Sequence, residues 1–330
     1  MKQFYDLPDK RKQTIYTQVG NRMNLPASAI EKDWWVTLAL KAIFSLPFSG
    51  HIVFKGGTSL SKGWNLIARF SEDVDLVMGR EQFGFQGDLT KGEIRRLRNK
   101  SCEFLSTQFP KELLKRINEI GISDFQISVM DFKASDTDPV KIQLIYPVLT
   151  EPSNYLVPPV LIEIGSRSLM EPMEKRLIRS LVADSFSDLA FADEATAIST
   201  VLPKRTFLEK TFLLHEEFQR PTEKILIKRR SRHYYDLEKM MDSLHGKEAL
   251  MDIELYQSII NHREKFSHLS GVDYSKHQPE EIDFIPPDRL IKAFESDYKT
   301  MQESMIYGDS LPFDKLMKRM EELLGRFREI

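Results

Sequence analysis

Residues 54–77 constrain the fold of this chain more than any other part of its sequence. They read FKGGTSLSKGWNLIARFSEDVDLV, in which an apolar run precedes two adjacent glycines and, further on, two aspartates separated by one apolar residue. In a strand, residues i and i+2 point to the same face, so Asp73 and Asp75 are predicted to project together while Val74 enters the core. The segment therefore predicts a strand, a glycine turn, a helix and a second strand with paired carboxylates.

This order of residues suits a divalent metal and a phosphorylated ligand. Mg²⁺ takes oxygen ligands, and proteins hold it through one or two carboxylates together with substrate phosphates. Gly56 and Gly57 follow an apolar run, and backbone N–H groups at a glycine turn and helix start bind anions. Both features also have a plain alternative: the aspartates as an exposed strand end, and Gly57 with Thr58 as a turn and helix N-cap.

The same segment resembles the nucleotidyltransferase superfamily in its DNA-polymerase-beta-like form. More narrowly, KGGTSLSKGWNLIARFSEDVDL resembles the AbiEii toxin family and its MenT relatives, which are the nucleotidyltransferase halves of bacterial toxin–antitoxin and phage-defence (abortive infection) pairs. Fifteen residues separate Gly57 from Asp73, which is longer than the general superfamily spacing but suits the AbiEii type.

Two further stretches of the first two thirds of the chain extend the resemblance. LIEIGSRSLMEP, which begins at Leu161, resembles the family strand that bears a third carboxylate, here Glu163. The alternation with Ile162 and Ile164 supports a strand with this carboxylate on the opposite face, although a rim charge on an edge strand has the same pattern. EKDWWVTLALKAIF, residues 31–44, resembles the opening helix of the family.

Two later stretches complete the match. RTFLEKTFLLHEEF, residues 205–218, resembles the family helix whose lysine faces the nucleotide, here Lys210, and RHYYDL, residues 232–237, resembles the family element with Arg232 and Asp236. By periodicity alone, Lys210 fits the solvated face of an amphipathic helix. Asp236 also fits a simple i, i+4 ion pair with Arg232.

The resemblance implies a site and an activity. Asp73, Asp75 and Glu163 would bind Mg²⁺ or Mn²⁺, and Lys210 and Asp236 would join them as catalytic residues. The residues expected to contact the NTP are Gly56, Gly57, Thr58, Ser59, Arg69, Ser71 and Arg232. The expected reaction transfers NMP to an acceptor, the 3′ end of tRNA, and releases pyrophosphate, and a cognate antitoxin is an expected partner. The alternatives are a non-catalytic protein that binds nucleotide, RNA or a partner on the same fold, and a kinase-like phosphotransferase.

A basic stretch lies beside the last of these motifs. Residues 204–232 contain nine Lys or Arg against four Glu, although the net charge of the chain is −2. Such a cluster is typical either of a phosphate- or RNA-binding patch or of a solubilising surface. Tyr234 and Tyr235 follow it, and they could stack on exposed bases or pack in the core.

Composition excludes several other classes of protein. The chain has one cysteine, Cys102, which excludes an intramolecular disulfide framework, and its seven histidines show no zinc-ligand spacing. No apolar run of the length of a membrane span occurs, and the N-terminal residues lack the apolar region of a signal peptide. These features predict a globular protein of the cytoplasm.

The order of apolar segments predicts an α+β (α/β) fold. A nucleotidyltransferase-like mixed sheet with N-terminal helices is expected over residues 1–200, and a helical C-terminal domain over residues 201–330. Strands are predicted at 51–54, 73–78, 124–132, 140–147 and 160–164, helices at 58–67, 93–109 and 312–330, and a hairpin turn at 133–139. From about Asp193 the pattern is read as helical to the end.

Overall fold

The computed structural model describes residues 1–132, 134–151 and 158–330. The chain divides into two units, and each unit has its own core. The first consists of Met1–Trp64 and Phe70–Val201, and the second of Asn65–Arg69 and Leu202–Ile330. Five residues of the segment 54–77 thus belong to the second unit.

Three helices begin the first unit: α1 (Lys2–Tyr5), α2 (Asp9–Met23) and α3 (Ala27–Ile43). Pro8 and Pro26 stand at the N-caps of α2 and α3, where the fixed φ of proline suits the start of a helix. α3 is buried along nearly its whole length, as its continuous apolar run Trp34-Trp35-Val36 and onward predicts.

Seven strands form one mixed sheet in the first unit. They are β1 (Ile52–Lys55), β2 (Val74–Met78), β3 (Gln126–Val129), β4 (Val140–Ile145), β5 (Val160–Gly165), β6 (Met173–Ile178) and β7 (Thr196–Val201). Their order across the sheet is β3-β4-β5-β2-β1-β7-β6. β2 runs parallel to β5 and β1 parallel to β7, while the other neighbours are antiparallel.

Alternation along the central strands places apolar residues in the core. Phe54, Val74, Leu76, Ile162 and Ile164 are almost fully buried. The long helix α5 (Lys91–Glu119) packs against β3, β4 and β5, and α3 packs against β5. The short helices α4 (Gly56–Lys62) and α6 (Leu181–Ser185) complete the unit.

The second unit is helical. Its helices are α7 (Pro203–Phe218), α8 (Ser231–Met241), α9 (Leu244–Met251), α10 (Ile253–His262), α11 (Ile291–Ser304) and α12 (Phe313–Arg328). Asn65–Arg69 joins them through a bridge between Arg69 and Ile306, and through two backbone bonds in which Tyr307 N (3.0 Å) and Gly308 N (3.1 Å) donate to the Ala68 carbonyl.

The mixed-sheet fold class is confirmed, and the five predicted strands are present with shifted ends. The helix predicted at 58–67 ends early, at Lys62, because Gly63 follows and Asn65 takes a left-handed φ of 52°. The helix predicted at 93–109 continues through Pro110 to Glu119, since buried apolar positions recur beyond the proline. The last helix is confirmed over Phe313–Arg328, and its apolar stripe is core.

The prediction of helix from about Asp193 onward is wrong at its start, because β7 occupies Thr196–Val201. The sequence TAISTV of β7 is rich in β-branched residues, which favour strands. β6 was not predicted, and its exposed residues MEKRLI lack an apolar alternation because it lies at the edge of the sheet. The predicted turn at 133–139 connects β3 and β4 over residues 134–139, and Lys133 lies outside the described residues. Within the described part of the chain, no helix is long and apolar enough to cross a membrane.

Candidate functional site

The diglycine turn follows β1 directly and leads into α4. Gly56 has a φ of +79°, in the left-handed region that side chains disfavour. A Cβ atom at Gly56 would lie 2.1 Å from Asp75 Oδ2, so this carboxylate lies against the α-carbon of the glycine. Only glycine admits so close an approach. The contact joins the glycine turn to the D-x-D segment of β2.

Four charged residues form a row across the sheet. Register pairs Lys141 of β4 with Glu163 of β5, Glu163 with Asp75 of β2, and Asp75 with Lys55 of β1. Paired residues share a face, so two carboxylates lie side by side with a lysine at each end. Lys141 Nζ is 2.7 Å from Glu163 Oε1, and Lys55 Nζ donates to Ser168 Oγ at 3.1 Å. The Glu163 side chain is 26% exposed, so solvent and ligands reach this row.

The hydroxyls near the glycine turn hold the turn to the loop before β2. Thr58 Oγ1 donates to the Asp73 carbonyl at 2.5 Å and lies 2.9 Å from Ser71 Oγ. Ser59 Oγ donates to the Gly56 carbonyl at 2.8 Å. Since Thr58 and Ser59 are buried and their hydroxyls are engaged, phosphate contacts at this turn would come from backbone N–H groups, which have no side-chain cap.

The carboxylates fit a metal that binds together with a nucleotide. In the residues that the structure describes, no group of three His, Cys, Asp or Glu is arranged to hold a metal ion by itself. Asp73 precedes β2 by one residue, whereas Asp75 and Glu163 occupy paired positions on neighbouring strands. All three are hard oxygen donors, and Mg²⁺ needs only one or two carboxylates when phosphates and water supply the other ligands.

Two buried ion pairs around this site were not predicted. Lys32 Nζ lies 2.6 Å from Glu72 Oε2, and Lys62 Nζ lies 2.5 Å from Asp33 Oδ1. Burial raises the pKa of Asp33, although the charge of Lys62 opposes the rise. The sequence holds a signal for these pairs, because charges within a helix that is apolar on every side must find partners.

In the second unit, Asp236 is the centre of a buried ion cluster. Arg69 donates from Nε to Oδ1 and from Nη2 to Oδ2, both at 2.7 Å, and Lys210 Nζ lies 2.8 Å from Oδ2. None of the three side chains is more than 6% exposed. Lys210 therefore does not lie on the solvated face that its periodicity suggests. One carboxylate is thus shared by two cations.

The cluster shifts the pKa of its members. Burial alone would raise the pKa of Asp236, but the attraction of Arg69 and Lys210 outweighs it and holds that pKa below its ordinary value. Burial lowers the pKa of Lys210, although Asp236 opposes the fall. Burial, with Lys210 and Arg232 nearby, also lowers the pKa of His233 far below its ordinary value. Among the described residues, neither ring nitrogen of His233 has a hydrogen-bond partner.

The tyrosines beside this cluster belong to the core. Tyr234 and Tyr235 are fully buried, and the Tyr234 hydroxyl donates to the Phe284 carbonyl at 2.8 Å. The sequence left open whether they stack on exposed bases or pack in the core, and the structure shows packing. Tyr234 and Tyr235 are buried because they lie within residues 233–237 of α8, all of which are buried.

Much of the basic stretch 204–232 is neutralised inside the second unit. The ion pairs are Lys204 with Asp252, Arg205 with Glu209, Lys210 with Asp236, and Arg220 and Arg230 with Glu217. Five of the nine cations thus have carboxylate partners, so the charge count of the sequence overstates the cationic surface open to RNA.

Comparison with known proteins gives an independent finding. The sequence profile of the family described as nucleotidyl transferase AbiEii toxin, type IV TA system, matches residues 38–319. Among solved structures, the chain is similar to MenT4, a nucleotidyltransferase toxin from Mycobacterium tuberculosis, with 16% identity, coverage of 95% of this chain and 99% of that chain, and a TM-score of 0.46. It is also similar to JHP933 from Helicobacter pylori, with 15% identity, coverage of 92% and 94%, and a TM-score of 0.45. No curated protein sequence matches the chain.

Proposed function

Because the chain belongs to the AbiEii family of nucleotidyltransferase toxins of type IV toxin–antitoxin systems, we propose that it transfers a nucleoside monophosphate from an NTP to RNA and releases pyrophosphate. The acceptor that we propose is the 3′ end of tRNA, whose modification would arrest growth. Family membership also implies a cognate antitoxin. The observation that carries the proposal is the contact of Asp75 with the α-carbon of Gly56, which brings a carboxylate to the turn where phosphates would bind.

The metal-binding part of the proposal rests on the first unit. Asp73 and Asp75 would hold Mg²⁺ or Mn²⁺, with Glu163 as a further ligand. When bound, such a metal stabilises the attacking and leaving oxygens of an in-line displacement at phosphorus. Glu163 is paired with Lys141 at 2.7 Å, and the half-exposed Lys141 is able to swing away when Glu163 turns to the metal.

The chain's own groups would bind and orient the triphosphate. The backbone N–H groups of Gly56 and Gly57 would face the phosphates, while Thr58, Ser59 and Ser71 keep the turn against the loop before β2. We assign phosphate binding to the backbone because the three hydroxyls are already engaged in internal hydrogen bonds.

By the family resemblance, Lys210 offsets the charge that develops on the phosphates, and Asp236 orients it. Arg69 directs two N–H groups at Asp236, so we propose that it fixes this carboxylate and that Arg232 supplies the additional phosphate contact.

The test is a transfer assay with purified protein, Mg²⁺, total bacterial RNA and each of the four NTPs labelled with ³²P at the α-phosphate. Wild-type protein should label RNA of tRNA size on a denaturing gel, and Asp73→Asn should lower the labelling by about 100-fold or more, since even outer residues of a metal site cost up to about that much. Asp6→Asn, which changes an exposed carboxylate of the same unit, should behave as wild type.

A γ-labelled NTP separates the reaction classes. Nucleotidyl transfer should release its label as pyrophosphate, whereas label on RNA or protein would indicate a phosphotransferase. Absence of α-label from every RNA and protein with all four nucleotides would contradict the proposal.

A further inference from the structure

The second turn of α3 carries three charged residues in succession, Glu31, Lys32 and Asp33, and each is at least 96% buried. None of them has a part in the chemistry proposed above. Buried ion pairs are often no better for stability than well-packed apolar side chains. Three buried charges in a row, two of them in ion pairs, therefore call for a reason other than stability.

Each of the three holds a different segment of the first unit. The Glu31 carboxylate accepts hydrogen bonds from Leu149 N at 2.8 Å and Thr150 N at 3.1 Å, after β4 and before β5. Asp33 pairs with Lys62, the last residue of α4, the helix that begins at Gly56.

Lys32 holds the segment closest to the proposed metal. Its partner Glu72 immediately precedes Asp73, and the two side chains of the pair are only 3% and 4% exposed. On the other side of the same short segment, Thr58 Oγ1 binds the Asp73 carbonyl at 2.5 Å. The backbone that carries Asp73 is thus tied to α3 through one residue and to α4 through the next.

We propose that Lys32 is a positioning residue of the nucleotidyl-transfer site, which through its ion pair with Glu72 sets where Asp73 stands relative to the glycine turn. The inference rests on the proposed function, because it takes Asp73 to be a metal ligand. Loss of Lys32 would remove the cation that lies 2.6 Å from the buried Glu72 carboxylate. The segment would then shift to bring Glu72 to water, and Asp73 would shift with it.

The experiment measures fold stability and ligand binding in the same variants. Mn²⁺ with inorganic tripolyphosphate serves as a probe that is independent of the base, and its affinity is measured by isothermal titration calorimetry, with Tm from thermal unfolding. Lys32→Met should lower both. The double variant Lys32→Met/Glu72→Met removes both charges and should recover most of the Tm, yet bind the probe about 10- to 100-fold more weakly than wild type. Wild-type affinity in a double variant with recovered Tm would overturn the inference.

A second pair of variants serves if the double variant does not fold. Glu72→Gln keeps a hydrogen-bond acceptor for Lys32 and should bind the probe within about threefold of wild type, whereas Glu72→Met should bind it about 10- to 100-fold more weakly than wild type. Equal losses in both would show that Glu72 acts through its charge on the ligand, and would refute a positioning role.

Two controls separate this inference from the proposed function. Lys2→Met/Asp6→Met removes an exposed ion pair of the same unit, 2.8 Å long, and should change neither measurement. Asp73→Asn should abolish probe binding. Retained binding in Asp73→Asn would refute the metal assignment itself, while loss there with normal binding in Lys32→Met/Glu72→Met would refute only the role of Lys32.

Discussion

Replacement of Gly56 by alanine tests the contact that joins the glycine turn to β2. The new Cβ would lie 2.1 Å from Asp75 Oδ2, and real Cβ contacts essentially never fall below 3.0 Å, so the carboxylate must retreat by about 1 Å. A displacement of that size in a catalytic group costs about 100-fold in rate. We therefore expect Gly56→Ala to lower kcat/KM for NMP transfer about 100-fold, which corresponds to about 2.7 kcal/mol of activation free energy.

The same change also strains the backbone, and the chain offers a control for that effect alone. Gly84 has the same φ of +79°, and a Cβ at Gly84 meets no atom within 4 Å. Alanine in the left-handed region costs about 1–2 kcal/mol at either position. Both variants should lose at least this much free energy of unfolding in urea denaturation, and Gly56→Ala should lose more because its Cβ also displaces Asp75. Only Gly56→Ala should lose activity.

Activity is measured as α-³²P transfer to RNA at a temperature where both variants are fully folded. If Gly56→Ala retains the activity of Gly84→Ala, Asp75 does not need its observed position, and the assignment of this carboxylate to catalysis is refuted. If both variants lose activity equally, backbone strain alone accounts for the loss and the contact with Asp75 is not the cause.

Two predictions concern the second unit. Asp236→Asn removes the buried carboxylate that Arg69 and Lys210 share, so the free energy of unfolding in urea should fall by about 3–5 kcal/mol, and a loss below about 1 kcal/mol would contradict the buried cluster. The pKa of His233 is lowered in the folded chain, so its contribution to stability is present above the unfolded histidine pKa of about 6.5 and is lost as the pH falls below it. His233→Phe should therefore flatten the fall of unfolding free energy between pH 6.5 and 5 by up to about 1.4 kcal/mol per pH unit, and an unchanged slope would refute the account.

Local sequence patterns were sufficient to predict a helix or strand where the neighbouring residues in the sequence determine which face of it is buried. The alternation of Glu163 with Ile162 and Ile164 predicts a strand with one polar face, and the structure has it. The continuous apolar run of α3 likewise predicts a buried helix, since such a surface is stable only when removed from water.

Long-range pairing was beyond the reach of these patterns. By its sequence pattern, Lys210 looks like a surface residue. Periodicity shows which face of a helix is polar, but it does not show whether that face meets a buried carboxylate. Its partner Asp236 is shared with Arg69, which lies 167 residues away in the sequence. β6 escaped prediction for another reason, since an edge strand without a buried face has no apolar period to detect.

The separation of Arg69 from Asp236 has a consequence for the biosynthesis of the chain. At usual rates of translation, Arg69 leaves the ribosome roughly 10–30 s before Asp236. The unit that contains Asn65–Arg69 is complete only after Leu202–Ile330 has been synthesised. A prematurely terminated chain that stops at Val201 retains every carboxylate proposed to bind metal but lacks Lys210 and its partner. Under the role proposed for Lys210, such a truncated chain would be inactive.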